Sequence, residues 1–502
     1  MDCVVLDGKS LSIADLADIA NRGALVGIDS GAMERVKASR ELVYRLSDSE
    51  KPIYGFNAGV GWNKDVRIER DFYGQFNADM IRSHCIAIPP EASEQEVRAT
   101  MAVRLNALLW GCTGSSPDIP VLMAAMLNEG IHPVIPERGS LGEADIGSLA
   151  HLGLAMIGEG DVHYKGRKMS AAEAFREANL QPISTGPKDG HAIISSNALA
   201  AGQGALVLHA LQELIETAEI VYAVSLEAFN GNTTPLDPKV QSVRPFKGQN
   251  ESAAKIRSYL KGSYIYDEDP DRPLQDPLCF RDAAHVHGAV REAIDYVRAL
   301  LTVQINSSDD NPCLLLEEGR IVSCANFEPL AWVLGFEMLG IALSHLSKAS
   351  CLRSIKLCTP AFSGLPRFLS PHPRTICFGT LQKTFVSLDN EIRTLINPSS
   401  MDGFCVAGEI EDRFTNAPFV VQKIRKVLDN LRYILGMEMM HAVQALDYRR
   451  DKRISEAAKA CHAEVRRSIA FYETDRPLTD DIEKAHRLIA SGALLRAVAA
   501  LR

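Results

Sequence analysis

The chain has no Cys-X-X-Cys pair among its 11 cysteines, no basic patch of the kind that nucleic-acid binding requires, no uninterrupted apolar run of membrane-spanning length, no internal repeat and no low-complexity segment. Each absence removes a class of protein. An odd number of scattered cysteines without framework spacing argues against zinc and disulfide scaffolds and predicts reduced, mostly buried thiols. The 54 basic and 63 acidic residues, net charge −9, are mixed along the chain and offer nucleic acid no patch to bind. A membrane-crossing helix needs roughly 18 consecutive apolar residues, so no membrane span is expected. The opening MDCVVLDGKSLSIADL has an Asp at position 2 and no apolar core flanked by basic residues, so it does not read as a secretory signal. With reduced thiols, this predicts a cytoplasmic protein.

What is present is an ordinary globular composition, 46% hydrophobic and 23% charged over 502 residues. That length gives a prior of roughly three domains of about 150 residues. Ser12 with Asp15 three residues on forms a capping box, and Gly23 closes the helix it opens. Helical apolar spacing runs over about 96–111 and 119–129, after which His132-Pro133 and Ile135-Pro136 extend the chain. Beyond about residue 190 the pattern changes to long helices near 192–228, 281–306, 328–355, 375–396, 415–448 and 453–472, with no competing strand series. Their length and apolar stripes predict a mainly α protein, an elongated helical bundle. The Pro- and Asp-rich stretch 264–277 reads as a loop. The expected division is an N-terminal domain over 1–190, a central long-helix bundle over 191–400 and a C-terminal helical region over 401–502.

The most specific segment is GSLGEADIGSLAH, residues 139–151, a Gly-rich turn leading into an apolar helix. Such turns are common alone. Here HPVIPERGSLG precedes it and SLAHLGLAMIGEG follows, while YGFNAGVGW, QDPLCFR, SSDDNP, ANFEP, SGLPRFL and GEIED are spread from about residue 50 to 415. In content and order these stretches resemble the aromatic amino acid ammonia-lyases, typified by histidine ammonia-lyase. The resemblance implies the histidine ammonia-lyase/fumarase-like helical fold and a homotetramer whose active sites collect loops from three subunits. In that family the loop reads Gly-Ser-hydrophobic-Gly followed by Ala-Ser-Gly-Asp, and Ala-Ser-Gly condenses into an electrophilic methylidene-imidazolone ring. Here Gly142 is followed by Glu143, Ala144 and Asp145, with no serine to dehydrate and no glycine nitrogen to close the ring. No cofactor is therefore expected.

Carried over residue by residue, the resemblance gives Tyr54 the place of the base that takes the β-proton. A phenol of ordinary pKa about 10 must be ionised or lose its proton in concert to do so. Arg281 matches the arginine that grips the substrate carboxylate, for which a guanidinium fork is suited. Gln275 is its companion, and Leu278 replaces a tyrosine usual in the family. His84 and Glu411 match the pair that selects an imidazole over a phenyl ring. Ser195, with Asn197 two residues on, stands where the family has Asn-Gly-Thr, so the asparagine supporting the ring is replaced together with the ring. Lys383 occupies a position that is apolar in the family; it either pairs with Glu411 or a ligand anion, or extends to solvent. Phe327, Phe404 and Trp62 are core residues or walls for a cation. Glu143 and Asp145 either attract a cation or cap the following helix.

An elimination site without its electrophile requires a leaving group that departs unaided. A trimethylammonium qualifies, since it leaves as a neutral amine. The expected substrate is thus an imidazole betaine, and the chain is similar to the ring-less superfamily members that convert ergothioneine to thiourocanate and trimethylamine. Elimination from another betaine such as hercynine, a conventional ammonia-lyase or aminomutase, and a non-catalytic homologue are the alternatives.

Overall fold

The computed structural model describes residues 3–47, 51–401 and 403–501. The protein is mainly α-helical, with only short strands. Ser12 caps the helix Ile13–Asn21 in a complete capping box with Asp15, and Gly23 follows at φ +68°, as the sequence indicates. A second capping box, Ser93 with Glu96, opens the helix Glu94–Leu108. This helix is buried on every side from Glu96 to Leu108, so two of its arginines must find partners in the interior. Arg98 donates to the carbonyls of Ile19 (2.8 Å) and Leu127 (2.9 Å), and Arg104 to the Ala192 carbonyl (3.0 Å) and Asp309 (3.2 Å).

The extended stretch after the helix Asp118–Glu129 finds strand partners. His132–Pro133 pairs antiparallel with Asp161–Tyr164, which forms a hairpin with Arg167–Ser170, and Pro136–Arg138 pairs with Ile88–Glu91. Long helices follow at Ala198–Phe229, Ala283–Gln304, Leu330–Leu357, Leu381–Leu395 and Ala417–Asp447, and the helix expected over 453–472 is a shorter one, Glu456–Arg466. Three departures from the periodicity have local causes. The helix expected from 192 is interrupted at Ser195–Asn197, between Asp189–Ile194 and Ala198–Phe229, by hydrogen bonds to Asp309 described below. The one expected from 375 starts at Leu381, because the Ile376 and Cys377 amides turn to donate to Asp475. A hairpin, Cys313–Leu315 with Arg320–Val322, stands in the region read as strand-free.

Two compact units emerge. One comprises Met1–His209, Val297–Phe336 and Pro398–Gln422; the other comprises Ala210–Tyr296, Glu337–Asn397 and Lys423–Arg502. They do not follow the contiguous spans 1–190, 191–400 and 401–502, because later segments of the chain return to each unit. Two helical stretches, Asp189–Phe229 and Leu330–Leu357, are long and apolar enough to cross a membrane by composition, but 72% and 56% of their apolar windows are buried inside the protein. Helices that are apolar all round are also what a large core requires.

Ion pairs that the second unit buries between helices include Arg291 with Glu219 (2.7 Å), and Arg353 with Glu438 through two nitrogens (2.5 and 2.8 Å). Arg353 and Glu438 are both fully buried. Removing one member leaves an uncompensated buried charge at a cost of about 3–5 kcal/mol. Arg353→Met is expected to lower the urea midpoint accordingly, with Arg450→Met, at an exposed guanidinium, close to wild type.

Candidate active site

The site is assembled in the first unit around loop 139–145. Gly142 has φ +89°, and a β-carbon there would lie 2.4 Å from the Ala417 amide nitrogen, so only glycine fits. Asn416 N–H donates to the Leu141 carbonyl (2.7 Å), and Ala144 is turned to φ +67°. Its N–H donates to Asn197 Oδ1 (3.1 Å). Asp145 stands at the start of the helix Ile146–Met156 but makes no side-chain cap to it. Its carboxylate accepts instead from Ser140 Oγ (2.7 Å) and from the Ala200 amide (2.9 Å), at the N-terminus of the helix Ala198–Phe229. Asp145 is therefore a tether between loop and helix. Burial raises its pKa to about 6, against the lowering effect of those hydrogen bonds.

Beneath the loop lies a row of buried charges. Asp309 accepts from Ser196 Oγ (2.9 Å) and the Asn197 amide (2.8 Å) and faces Arg104 at 3.2 Å. Its neighbour Asp310 is held by Lys188 at 2.6 Å, both side chains fully buried. Burial alone would raise the Asp310 pKa, but Lys188 and His191 outweigh it and hold the group at about 2.

Above this row opens a cavity of about 500 Å³. Tyr54, Glu143, Ala144, His191, Ser195, Phe327, Glu328, Glu411 and Arg413 are among its walls. Gly61 N–H donates to the Tyr54 phenol oxygen at 3.0 Å. Burial, with Glu411 adding to it, nevertheless raises the Tyr54 pKa, so the resting phenol is protonated. Glu411 is positioned by an antiparallel bridge with Val406. Between them, Gly408 at φ +62° lies so close under Trp62 that a β-carbon would overlap the indole. Glu143 projects from the loop beside Glu328, which Arg413 approaches to 3.4 Å. Burial first, then the charge of Glu328, raises the Glu143 pKa to about 8, partly offset by Arg413 and Thr415. Its Oε1 has no hydrogen-bond partner among the described residues.

The sequence candidates fall into two groups. Tyr54, Ser195, Phe327 and Glu411 share the cavity, so Tyr54 and Glu411 meet within one chain. Asn197 lies behind the wall, donating from Nδ2 to the Phe327 carbonyl (2.5 Å) and accepting from Ala144. It fixes the walls to one another. His84 is not among the lining residues; its Nδ1 is 2.7 Å from the Met80 carbonyl. Arg281 and Gln275 belong to the second unit and contact each other, Arg281 lining a separate cleft with Thr234 and His285. Lys383, also in the second unit, is exposed on the helix Leu381–Leu395. Phe404 is 88% exposed.

Sequence reading passed over His191, Lys188, Glu328 and Arg413. The available signal was charge within otherwise apolar stretches: KDGHAII, ANFEP and the residue after GEIED. The loop also fails a direct test for the family's ring. Between Gly142 and Asp145 it offers only Glu143 and Ala144, and the Ala144 amide is committed to Asn197. The residues present do not fit that group.

A model of the aromatic amino acid lyase family matches residues 11–467. Histidine ammonia-lyase of Treponema denticola is 35% identical over 491 residues, 97% of each chain. The chain therefore belongs to the aromatic amino acid lyase family. Within it, the structure is similar to that of ergothionase, an ergothioneine-degrading enzyme from Treponema denticola crystallised with desmethyl-ergothioneine sulfonic acid. Identity is 45% and the TM-score 0.96, covering 98% of this chain and 100% of that one. It is also similar to tyrosine aminomutase from Streptomyces globisporus, at 31% identity and TM-score 0.94, covering 99% and 98%.

A carboxyl that stays protonated to about pH 8 when folded, but ionises in the ordinary carboxylate range when unfolded, makes the native state bind more protons between those limits. Its contribution to stability is then lost as pH rises. Glu143→Gln removes that loss. The melting temperature of the variant is expected to equal that of wild type near pH 4.5 and to exceed it progressively up to pH 8; a difference that does not change with pH would contradict the assignment.

Proposed function

We propose that this protein is a carbon–nitrogen lyase that eliminates trimethylamine from ergothioneine, giving thiourocanate, without an electrophilic prosthetic ring. The observation that carries the reading is the loop: where cyclising residues would stand, Glu143 faces the cavity next to Glu328. Two carboxyl groups are the wrong environment for an electrophile that must accept electrons and a favourable one for a fixed positive charge. A quaternary ammonium meets that environment and, unlike ammonia, leaves without activation. The higher identity to the ergothionase, 45% against 35% for the histidine ammonia-lyase, supports the same choice.

In this reading Phe327 and the acidic pair receive the trimethylammonium, where an aromatic face adds cation–π attraction. Tyr54 takes the β-proton. The substrate cation lowers the phenol pKa, and a ring nitrogen donating to Glu411 relieves the charge that raises it. Negative charge spreading into the thioimidazole as the proton leaves is stabilised by Lys383, with His84 assisting at the ring. Arg281 grips the carboxylate with Gln275 beside it. In a homotetramer with shared sites, Lys383, Arg281 and Gln275 of the second unit, and His84 of the first, reach the cavity from neighbouring copies. The enzyme acts in the cytoplasm on a small-molecule betaine.

The test is a steady-state comparison of ergothioneine with hercynine, which lacks the sulfur. Ergothioneine is expected to give the higher kcat/KM. Tyr54→Phe should lower kcat by about 10²–10⁴-fold with little change in KM, the range for loss of a positioned proton acceptor. Lys383→Met should lower kcat on ergothioneine more than on hercynine. Full turnover in Lys383→Met would remove that residue from the site, and equal rates on the two betaines would remove the sulfur from recognition.

A further inference from the structure

His191 is 5% exposed and Asp310 1%, and among the described residues neither Nδ1 of the one nor Oδ1 of the other has a hydrogen-bond partner beyond each other. The two atoms face each other at 3.5 Å. Buried polar groups are almost always satisfied, so this contact is what orients the imidazole. With Nδ1 turned to Asp310, Nε2 is the ring nitrogen left at the cavity wall. A β-carbon on Gly55 would come within 3.5 Å of it, and the Tyr54 ring meets the imidazole edge-on, centroids 6.3 Å apart.

We infer that His191, oriented by Asp310, accepts the phenol proton of Tyr54 as Tyr54 takes the β-proton of the substrate. The inference rests on the elimination proposed above. Asp310, ionised against Lys188, selects the tautomer with hydrogen on Nδ1 and leaves the Nε2 lone pair at the edge of the ring that borders Gly55, next to Tyr54 in the chain. The step balances. The Cβ–H bond breaks, and its proton bonds to the Tyr54 oxygen while the phenol proton passes to Nε2. The electron pair of the broken bond forms the Cα=Cβ double bond, and the Cα–N pair leaves with neutral trimethylamine. The substrate loses one positive charge and His191 gains one. The imidazolium then has its counter-charge in Asp310.

The surroundings keep His191 a base at rest. Burial, with Lys188 and the Arg104 guanidinium, holds its pKa below the ordinary value; Asp310 opposes them, and Tyr54 is the remaining titratable group against the ring. The acid limb of kcat/KM is therefore expected below the ordinary histidine value of about 6.5.

The experiment uses the full-length protein with ergothioneine. His191→Gln, of similar size without a basic nitrogen, is expected to lower kcat by about 10²-fold or more, keep KM within about threefold and abolish the acid limb. Asp310→Asn is expected to retain part of kcat and move the limb to lower pH, since the imidazolium loses its counter-charge. A His191→Gln variant with wild-type kcat and an unchanged pH profile overturns the inference. Nitrogen-15 NMR of histidine-labelled wild type decides the point even where a variant does not fold or the wild type turns over no betaine. A bare Nε2 with Nδ1–H at neutral pH is expected; hydrogen on Nε2 overturns it. Absence of trimethylamine from wild type with either betaine defeats the elimination reading instead.

Discussion

The site depends on one buried carboxylate, Asp309. By accepting from Ser196 Oγ and the Asn197 amide, it breaks what would otherwise be one continuous helix from Asp189 to Phe229. The break frees the Ser196 carbonyl for the Asp145 amide (2.6 Å) and turns the Asn197 side chain to Ala144 on one side and Phe327 on the other. Loop 139–145 is thus held through a helix interruption. Arg104, on a helix buried on all sides, supplies the counter-charge that makes a buried carboxylate tolerable. Take Asp309 away and the loop, the break and one wall of the cavity lose their common anchor.

Charge is arranged in two levels. Below the loop, Arg104, Lys188, Asp309 and Asp310 are paired and closed to solvent, a scaffold of fixed charge. At the cavity, Tyr54, Glu143 and His191 all have pKa values displaced toward their neutral forms, burial being the largest cause in each case. With these three groups neutral at rest and further carboxyl groups in its walls, the cavity favours a ligand that brings its own positive charge. An electrophilic ring built from loop residues would be an electron sink; a substrate that carries a cationic leaving group makes such a sink unnecessary.

The fold was legible in the sequence where local physics governs it. The Ser12 capping box, the helix Asp118–Glu129 and the long apolar helices follow from spacing and caps. The interruption at Ser195–Asn197 was not, because its cause, Asp309, lies more than a hundred residues away. Nor were the two units, built from segments that return. For the site, ordered motifs marked Tyr54, Glu411, Ser195 and Phe327 and led to one cavity. They did not reveal Asn197 as a strut, Asp145 as a tether rather than a cap, or His191 as a wall. Each of those roles depends on which partner a polar side chain meets in three dimensions, and spacing along the chain carries no record of it.

The measurement that bears most directly on this account is the amine released by purified protein whose intact mass equals that of the unmodified chain. The account predicts trimethylamine from ergothioneine and no ammonia from histidine. Ammonia from histidine, or a mass showing that loop 139–145 has cyclised, would contradict it.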